Sequence, residues 1–485
     1  MARKVKEPEL YEGLVVIEAS DQKSLDKMLE KLELRPEAYV VRIPKRCVRI
    51  KKGAFRGNRE LKGVVIPGSI REIRDEAFSG CVGLTHVQFS EGLDTIGCYS
   101  FKDCADLAGI TIPESVTLIQ PTSFNGCTAL SSIVVAEGNC FYDSREGSNA
   151  VINTSGNKLV LGCAATVIPT SVRTLGPGAF MGCTTLCSIV IPEGVTMIEP
   201  FAFCNCISLS SVTIPKSMTL IAKYAFGSCS SISSIAIPES VRYIASDAFS
   251  DCAALACITV AEGNRVYDSR EGCNAIIETA SNKLVSGCAA TVIPSSVTEI
   301  GWNAFDGHAG LSCIAIPEGV KEIGLYAFQD CAALSSIVIP ASVIRIGLWA
   351  FSGCTSLVSI TVAEDNKIYD SREGCNAIIE TASNKLVIGC TTTSIPGSVV
   401  ALGTGAFQCC TTLTSIAIPE GVTEIGSHAF SGCTGLACAV IPKSVTRIGR
   451  YAFLGCRRLA GIDVPDSVAE IGCDAFKGCG GQGIL

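Results

Sequence analysis

The 485-residue chain is 48% apolar but only 6% aromatic and contains 47 glycines, which favours thin β-rich layers over a large aromatic core. No stretch approaches the roughly 18 uninterrupted apolar residues needed to span a bilayer, so no membrane insertion is expected. The net charge of −7 argues against general nucleic-acid binding.

The first 43 residues are predicted to form a small α/β cap. Residues 14–17 have the composition of a strand, Ser24 can cap a helix over residues 25–34, and residues 38–43 look extended again. A cap is expected here because an open end of the repeats that follow would expose apolar side chains and an unpaired strand edge. The opening residues do not resemble a secretory leader.

A basic block overlaps the end of this cap. Nine basic residues and one acid, Glu60, lie between Arg42 and Lys62, which gives a local charge of +8. These side chains can form a positive edge that meets an acidic partner or a membrane surface. Equally, charge on an end strand discourages stacking with another molecule.

Residues 44–485 read as about eighteen repeats, most of them 23 residues long. The unit is I-P-x-S-V-T-x-I-G-x-x-A-F-x-G-C-x-x-L-x-S-I-x, and three longer units of 33 residues occupy 136–168, 261–293 and 363–395. Phe recurs in every unit except those three. Each unit can bury its apolar face only against the next, so matching residues are predicted to stack in columns along a solenoid.

Two short strands are predicted within each unit. Leu-x-x-Ile-x-Ile alternates with period two and ends at a proline, which cannot donate to a strand ladder. Val-x-x-Ile-Gly gives a second extended piece, and Ala-Phe-x-Gly-Cys is expected to turn the corner. The fold class is therefore a β-rich repeat solenoid.

The repeat motif resembles the BspA-type leucine-rich repeat, and the resemblance covers about nine-tenths of the chain. It implies a right-handed leucine-rich-repeat superhelix whose long units carry hairpins. It also implies a non-enzymatic role in adhesion or partner recognition, at the cell surface or after secretion.

The three long units share the sequence Tyr-Asp-Ser-Arg-Glu-Gly, at residues 142–147, 267–272 and 369–374. Asp, Ser and Gly mark a turn before the strand that follows, so we interpret each segment as a hairpin that projects from the solenoid. Projecting loops on rigid scaffolds often bind ligands. Direct contact with a ligand by Arg145, Arg270 and Arg372 is therefore the alternative.

Cysteine is abundant, with 28 residues, of which thirteen fall in one repeat column. Small buried thiols behave as apolar fillers, so a structural column of reduced thiols is the favoured interpretation. Disulfides between neighbouring members are the alternative, provided that the side chains are suitably oriented. A spacing of 23 residues does not produce the clustered pairs of a zinc site, and no metal site is predicted.

No catalytic constellation is apparent. His86, His308 and His428 lie in different repeats, and none has a recurring local context that suggests a nucleophile beside it. The glycines recur at repeat turns and form no phosphate-binding loop. We therefore expect no enzymatic activity and no cofactor, and an enzyme based on the N-terminal segment is only a remote alternative.

Three large aromatic residues fall in variable slots of adjacent repeats: Trp302, Tyr326 and Trp349. The column of Phe residues does not require them there. They can form a patch of the kind found at the centre of protein interfaces. The alternative is that these side chains fold down onto neighbouring turns.

The sequence thus predicts a non-enzymatic scaffold that binds an unidentified protein, through Trp302, Tyr326 and Trp349 or through the three arginines of the long units. An intracellular regulatory or effector protein that uses the same surfaces is the alternative. The oligomeric state, the location and the identity of the partner stay open.

Overall fold

The computed structural model describes residues 15–18 and 38–480 and divides into two compact units, Met1–Ile232 and Ser233–Leu485. The predicted repeat solenoid is confirmed, because the fold is a β-solenoid of about 19 turns. Helical segments within the described residues are three short 3-10 turns, Arg145–Gly147, Arg270–Gly272 and Arg372–Gly374.

Most ordinary repeats contribute two strands, as the sequence predicts, whereas the repeats 294–316 and 442–464 contribute only the second of them. The first, which we call the face strand, comes from Leu-x-x-Ile-x-Ile, and in Ser336–Ile339 the two isoleucines are buried while Ser336 and Val338 are exposed. The second, the corner strand, comes from Val-x-x-Ile and has two residues, as in Arg345–Ile346, where Ile346 points into the core. Period-two alternation therefore places one face of these strands on the core.

The described residues of the first unit form eighteen strands. Its face strands begin with a β-strand that precedes the repeats and are Val15–Glu18, Tyr39–Arg42, Leu61–Ile66, His86–Phe89, Gly109–Ile112, Ser132–Val135, Ser188–Val190 and Ser211–Thr213. Its corner strands are Arg49–Ile50, Glu72–Ile73, Thr95–Ile96, Leu118–Ile119, Thr174–Leu175, Met197–Ile198 and Leu220–Ile221. Its long repeat adds Tyr142–Asp143, Val151–Asn153 and Lys158–Leu161.

Up to residue 480, the second unit contains twenty strands. Its face strands are Ser234–Ile237, Cys257–Val260, Ser336–Ile339, Ser359–Val362, Ser415–Ala417 and Cys438–Val440. Its corner strands are Tyr243–Ile244, Glu299–Ile300, Glu322–Ile323, Arg345–Ile346, Ala401–Leu402, Glu424–Ile425, Arg447–Ile448 and Glu470–Ile471. Its two long repeats add Tyr267–Asp268, Ile276–Glu278, Lys283–Ser286, Tyr369–Asp370, Ala377–Glu380 and Lys385–Gly389.

Neighbouring repeats pair in parallel and in register. Ile337 lies opposite Ile360 in the face strands, and Ile323 lies opposite Ile346 in the corner strands. Identical positions of successive repeats are therefore adjacent, as the 23-residue period predicts.

The Phe residues form the central column of the core. Phe305 and Phe328 stack with ring centroids 5.0 Å apart, and Phe328 and Phe351 with centroids 5.1 Å apart and planes inclined by 6°. Phe328 is fully buried. The predicted stacking of matching side chains is confirmed at these positions.

The cysteine column runs beside the Phe column and is anchored to it. Most thiols of the column donate to the backbone carbonyl of the Phe 26 residues earlier, as Cys81 Sγ does to Phe55 O at 3.0 Å and Cys354 Sγ to Phe328 O at 3.1 Å. Cys183 and Cys410 donate instead to the carbonyls of Gly162 and Gly389. Burial raises the pKa of Cys81 to about 12. The thiols therefore fill the core and also bond the turns, while their redox state stays a prediction.

The long repeats widen the corner sheet. In the third, Tyr369–Asp370 pairs antiparallel with Ala377–Glu380, which pairs antiparallel with Lys385–Gly389, and this last strand pairs in parallel with Ala401–Leu402. Tyr369 is buried, and its hydroxyl accepts a hydrogen bond from the Ile346 amide. The Tyr that opens each predicted hairpin thus belongs to the core, not to its tip.

At the N-terminus, Val15–Glu18 pairs in parallel with Tyr39–Arg42, which pairs in parallel with Leu61–Ile66. The strands predicted near residues 14–17 and 38–43 are present. The helix predicted over residues 25–34 lies outside the described residues. A division between cap and solenoid after residue 43 stays a prediction.

Candidate functional site

The slots that follow the repeat glycine form two adjacent columns in the second unit. Trp302 occupies the first slot after its glycine, as Leu325 and Leu348 do in the next repeats, whereas Tyr326 and Trp349 occupy the second slot. The predicted trio therefore belongs to two neighbouring columns.

The second slot always has a left-handed backbone where a large residue fills it. Tyr326 has φ 58° and Trp349 has φ 56°, a conformation that is uncommon for residues other than glycine. This backbone directs the ring along the side of the solenoid, parallel to the rings of adjacent turns. Tyr326 and Trp349 consequently stack with centroids 5.2 Å apart and planes inclined by 6°.

This aromatic column continues beyond the predicted residues. The edge of the His428 ring faces Trp349 at a centroid distance of 6.4 Å, and His428 packs on Tyr451 at 4.9 Å. Sequence reasoning considered His428 only as a catalytic residue and missed this role. Its position two residues after Gly426 was the available signal, since Tyr326 and Tyr451 share that slot.

The first column is the more exposed of the two. Trp302 is 53% exposed and Leu348 is 48% exposed. Trp302 lies against the next turn, where a Cβ on Gly324 would come within 2.8 Å of its Cδ1. We call Trp302, Leu325, Tyr326, Leu348 and Trp349 the aromatic patch. It presents apolar side chains of successive turns to solvent.

The electrostatic surroundings of the patch are acidic. Burial, and then the nearby Asp306 carboxyl, raise the pKa of Tyr326. Burial, together with Asp251, Asp330 and Asp247, raises the pKa of Asp306 itself to about 7, against a lowering effect from Ser250. Tyr326 is thus neutral at physiological pH and serves as an amphipathic contact group.

The three predicted arginines lie in the 3-10 turns of the long repeats and are held within their own loops. Arg270 Nε donates to Asp268 Oδ1 at 2.7 Å, and its Nη1 donates to Asn282 Oδ1 at 2.9 Å and to Ser296 Oγ at 3.3 Å. The hydrogen bond to Asp268 raises the pKa of Arg270.

The same arrangement recurs around Arg145 and Arg372. Arg145 Nη1 donates to Asn157 at 2.9 Å, and Arg372 Nη1 donates to Asn384 at 2.8 Å. The guanidinium groups therefore fasten each loop to the repeat that follows, and direct contact with a ligand stays a prediction. Beside the first loop, a groove of about 430 Å³ is lined by Val134, Glu137 and Arg145 among others.

His308 is a titratable side chain that lies inside the core. It replaces a cysteine in the column, is 1% exposed, and has a pKa lowered to about 4 by burial. It is therefore neutral, and it forms a hydrogen bond with the Cys252 backbone inside the core. Over the described residues, no group of three or more His, Cys, Asp or Glu side chains is placed to hold a metal ion.

Residues 15–18 and 38–480 include no helix with the length and apolar character that crossing a bilayer requires.

Comparison with known sequences points to one repeat family. The pattern of the BspA type leucine rich repeat region, in six copies, matches residues 39–153, 162–270, 286–382 and 377–483. These ranges include nearly all of the predicted solenoid. No curated protein matches the chain.

Solved bacterial structures are also similar to it. A leucine-rich repeat protein from Eubacterium ventriosum is 22% identical over 66% of this chain and 83% of that one, with a TM-score of 0.44. One from Bacteroides ovatus is 25% identical over 90% and 92%, with a TM-score of 0.34. A leucine rich cell surface protein from Faecalibacterium prausnitzii is 23% identical over 87% and 86%, with a TM-score of 0.31.

Proposed function

Because the chain belongs to the BspA-type leucine-rich-repeat family, we propose that it is a non-enzymatic scaffold that binds another protein. The columns of Phe, Ile and Cys are committed to the core, so only the variable slots are free for recognition. Adhesion or recognition of a partner is the role that this family membership favours.

The aromatic patch is the proposed contact surface, and the exposure of Trp302 is the observation that carries this proposal. Exposed tryptophan is uncommon on a solvated surface, whereas tryptophan and tyrosine are enriched where binding energy concentrates. Leu348 extends the apolar surface by another turn, and Tyr326 and Trp349 support it from the side.

Capture of binding partners with immobilised full-length protein tests this function. The double variant Trp302→Ala, Leu348→Ser removes the two most exposed side chains of the patch and leaves the core columns intact. We expect it to lose at least about ten-fold in affinity for the captured protein, since interface anchors are worth 2 kcal/mol or more.

Val338→Ser is the matched control. Val338 is 59% exposed in a face strand of the same unit, outside the patch. Equal capture by the wild type and the double variant, with all three proteins folded, would remove the patch as the binding surface.

We also propose that the protein is located at the cell surface, and this proposal is based on its family membership. The alternative, an intracellular interaction protein, is favoured by six exposed cysteines: Cys140, Cys187, Cys257, Cys313, Cys438 and Cys473. Exposed thiols persist in reducing compartments and are oxidised outside them. Immunofluorescence on intact cells decides between the two, because labelling only after permeabilisation contradicts adhesion.

A further inference from the structure

The aromatic column is interrupted at the third long repeat. The residue after Trp349 in that column is Gly405, which has φ 68° and no side chain. The His428 ring on the following turn leans towards Trp349 and meets it edge-on. The turn of Gly405 therefore lacks the ring that the turns of Trp349 and His428 carry in this slot, and a small cavity lies next to it.

Two residues that line this cavity, Trp349 and Gln408, each have a buried polar atom. Trp349 Nε1 and Gln408 Oε1 are both buried and have no hydrogen-bond partner in the described part of the chain. A Cβ on Gly405 would lie 2.6 Å from Trp349 Nε1 and 3.2 Å from Gln408 Oε1. Trp349 Nε1 and Gln408 Oε1 are thus close enough for one small molecule to form a hydrogen bond with each of them.

The space itself is a small cavity of about 20 Å³, lined by Trp349, Ser352, Gly405 and Gln408 among others. That volume holds one water molecule and no larger ligand. A water can accept from the indole N–H and donate to the amide oxygen. A buried polar group left without a partner is destabilising, so the site favours such a molecule.

We propose that one structural water molecule binds here and bridges Trp349 Nε1 to Gln408 Oε1. It takes the place of the missing ring and fixes the orientation of Trp349, on which the stack with Tyr326 depends. Gly405 is required because a methyl group would enter the space between the two polar atoms.

The site is particular to the third long repeat. At the equivalent position after the first, Met181 stands where Gln408 does, and a Cβ on Gly178 would meet the methyl group of Thr122 at 2.7 Å. Met181 carries no amide that needs a partner. The inference is independent of the protein-binding function.

Nuclear magnetic resonance of the full chain tests the proposal. The chain has two tryptophans, so Trp302→Phe leaves Trp349 as the source of the single indole N–H signal. We expect that proton to show cross-relaxation with a long-lived water. In Gln408→Leu the cross-peak should be lost, and the indole proton should shift upfield because its acceptor is gone.

Gln329→Leu is the control. Gln329 occupies the same slot as Gln408 in another repeat and donates to Asp330 Oδ2 at 3.2 Å, while Leu454 shows that leucine is compatible with the slot. This variant should keep the cross-peak. The proposal is overturned if the Trp349 indole proton shows no cross-peak to water while Gln408 is present. It is also overturned if the cross-peak survives Gln408→Leu.

Discussion

Single side chains in this protein have roles that follow from their repeat position. Asp306 stands beside the Phe column, is 6% exposed, and has Asp247, Asp251 and Asp330 as charged neighbours. Ionising it in that environment is unfavourable, which makes it a sensitive probe of the packing.

Asp306 should make stability depend on pH. Its pKa is raised in the folded protein to about 7 from an ordinary value of 3.8. The protonated Asp306 carboxyl contributes its full stability when the pH is below the pKa that Asp306 has in the unfolded chain. This contribution is lost as the pH rises from that value to the pKa that Asp306 has in the folded protein. Asp306→Asn should therefore gain stability relative to the wild type from about pH 4 to pH 7, and keep that gain above.

Urea unfolding at a series of pH values measures this effect. Asp466→Asn, at an exposed position, is the control and should show no such trend. A difference between Asp306→Asn and the wild type that does not change with pH would mean that Asp306 ionises normally in the folded protein.

At the scale of one element, the turn that opens each long repeat depends on a single asparagine. Asn366 is buried, and its Nδ2 donates to the carbonyls of Pro340 and Val343 at 2.8 and 3.0 Å. Its Oδ1 accepts from the amides of Ile368 and Tyr369, both at 2.9 Å. One side chain thus ties the long repeat to the turn before it.

Asn366→Ala should cost about 3 kcal/mol or more, because two backbone amides and two carbonyls lose their partner inside the protein. Chemical denaturation measures the loss. The neighbouring exposed residue gives the control, Glu364→Ala, for which we expect a change within about 0.5 kcal/mol. Similar effects of the two variants would show that the turn does not need Asn366.

The elements differ in how far the sequence predicts them. Face and corner strands were predictable because their alternation recurs along the repeats and a proline follows most of the face strands. The network around Arg145 was not, since its partner Asn157 lies twelve residues away and is brought near only by the antiparallel pairing of the long repeat. The Tyr326–Trp349 stack also depends on a left-handed backbone that the residue types do not indicate.

At the scale of the whole molecule, neighbouring repeats within each unit pair through matching strands, and the 23-residue period was sufficient to predict the fold. The stacking of Phe328 between Phe305 and Phe351 confirms that prediction. The binding function was harder to predict from the sequence, because the 23-residue period specifies the buried columns and leaves the residues of the variable slots unconstrained.

Phe328→Ala should destabilise the chain by about 3–5 kcal/mol, as expected for removal of a buried aromatic ring. Because each repeat contacts only adjacent ones, the loss should be local. Amide hydrogen exchange should accelerate in residues 317–362 and remain unchanged in residues 61–135. Uniform acceleration throughout the chain would contradict the one-dimensional architecture.

Hydrogen exchange of the full chain with and without a captured protein partner tests the central claim most directly. If recognition uses the slots that the stacked columns leave free, binding should protect amides around Trp302, Tyr326 and Trp349 on three successive turns. Protection confined to the loops around Arg145, Arg270 and Arg372, with no change on those three turns, would contradict the account.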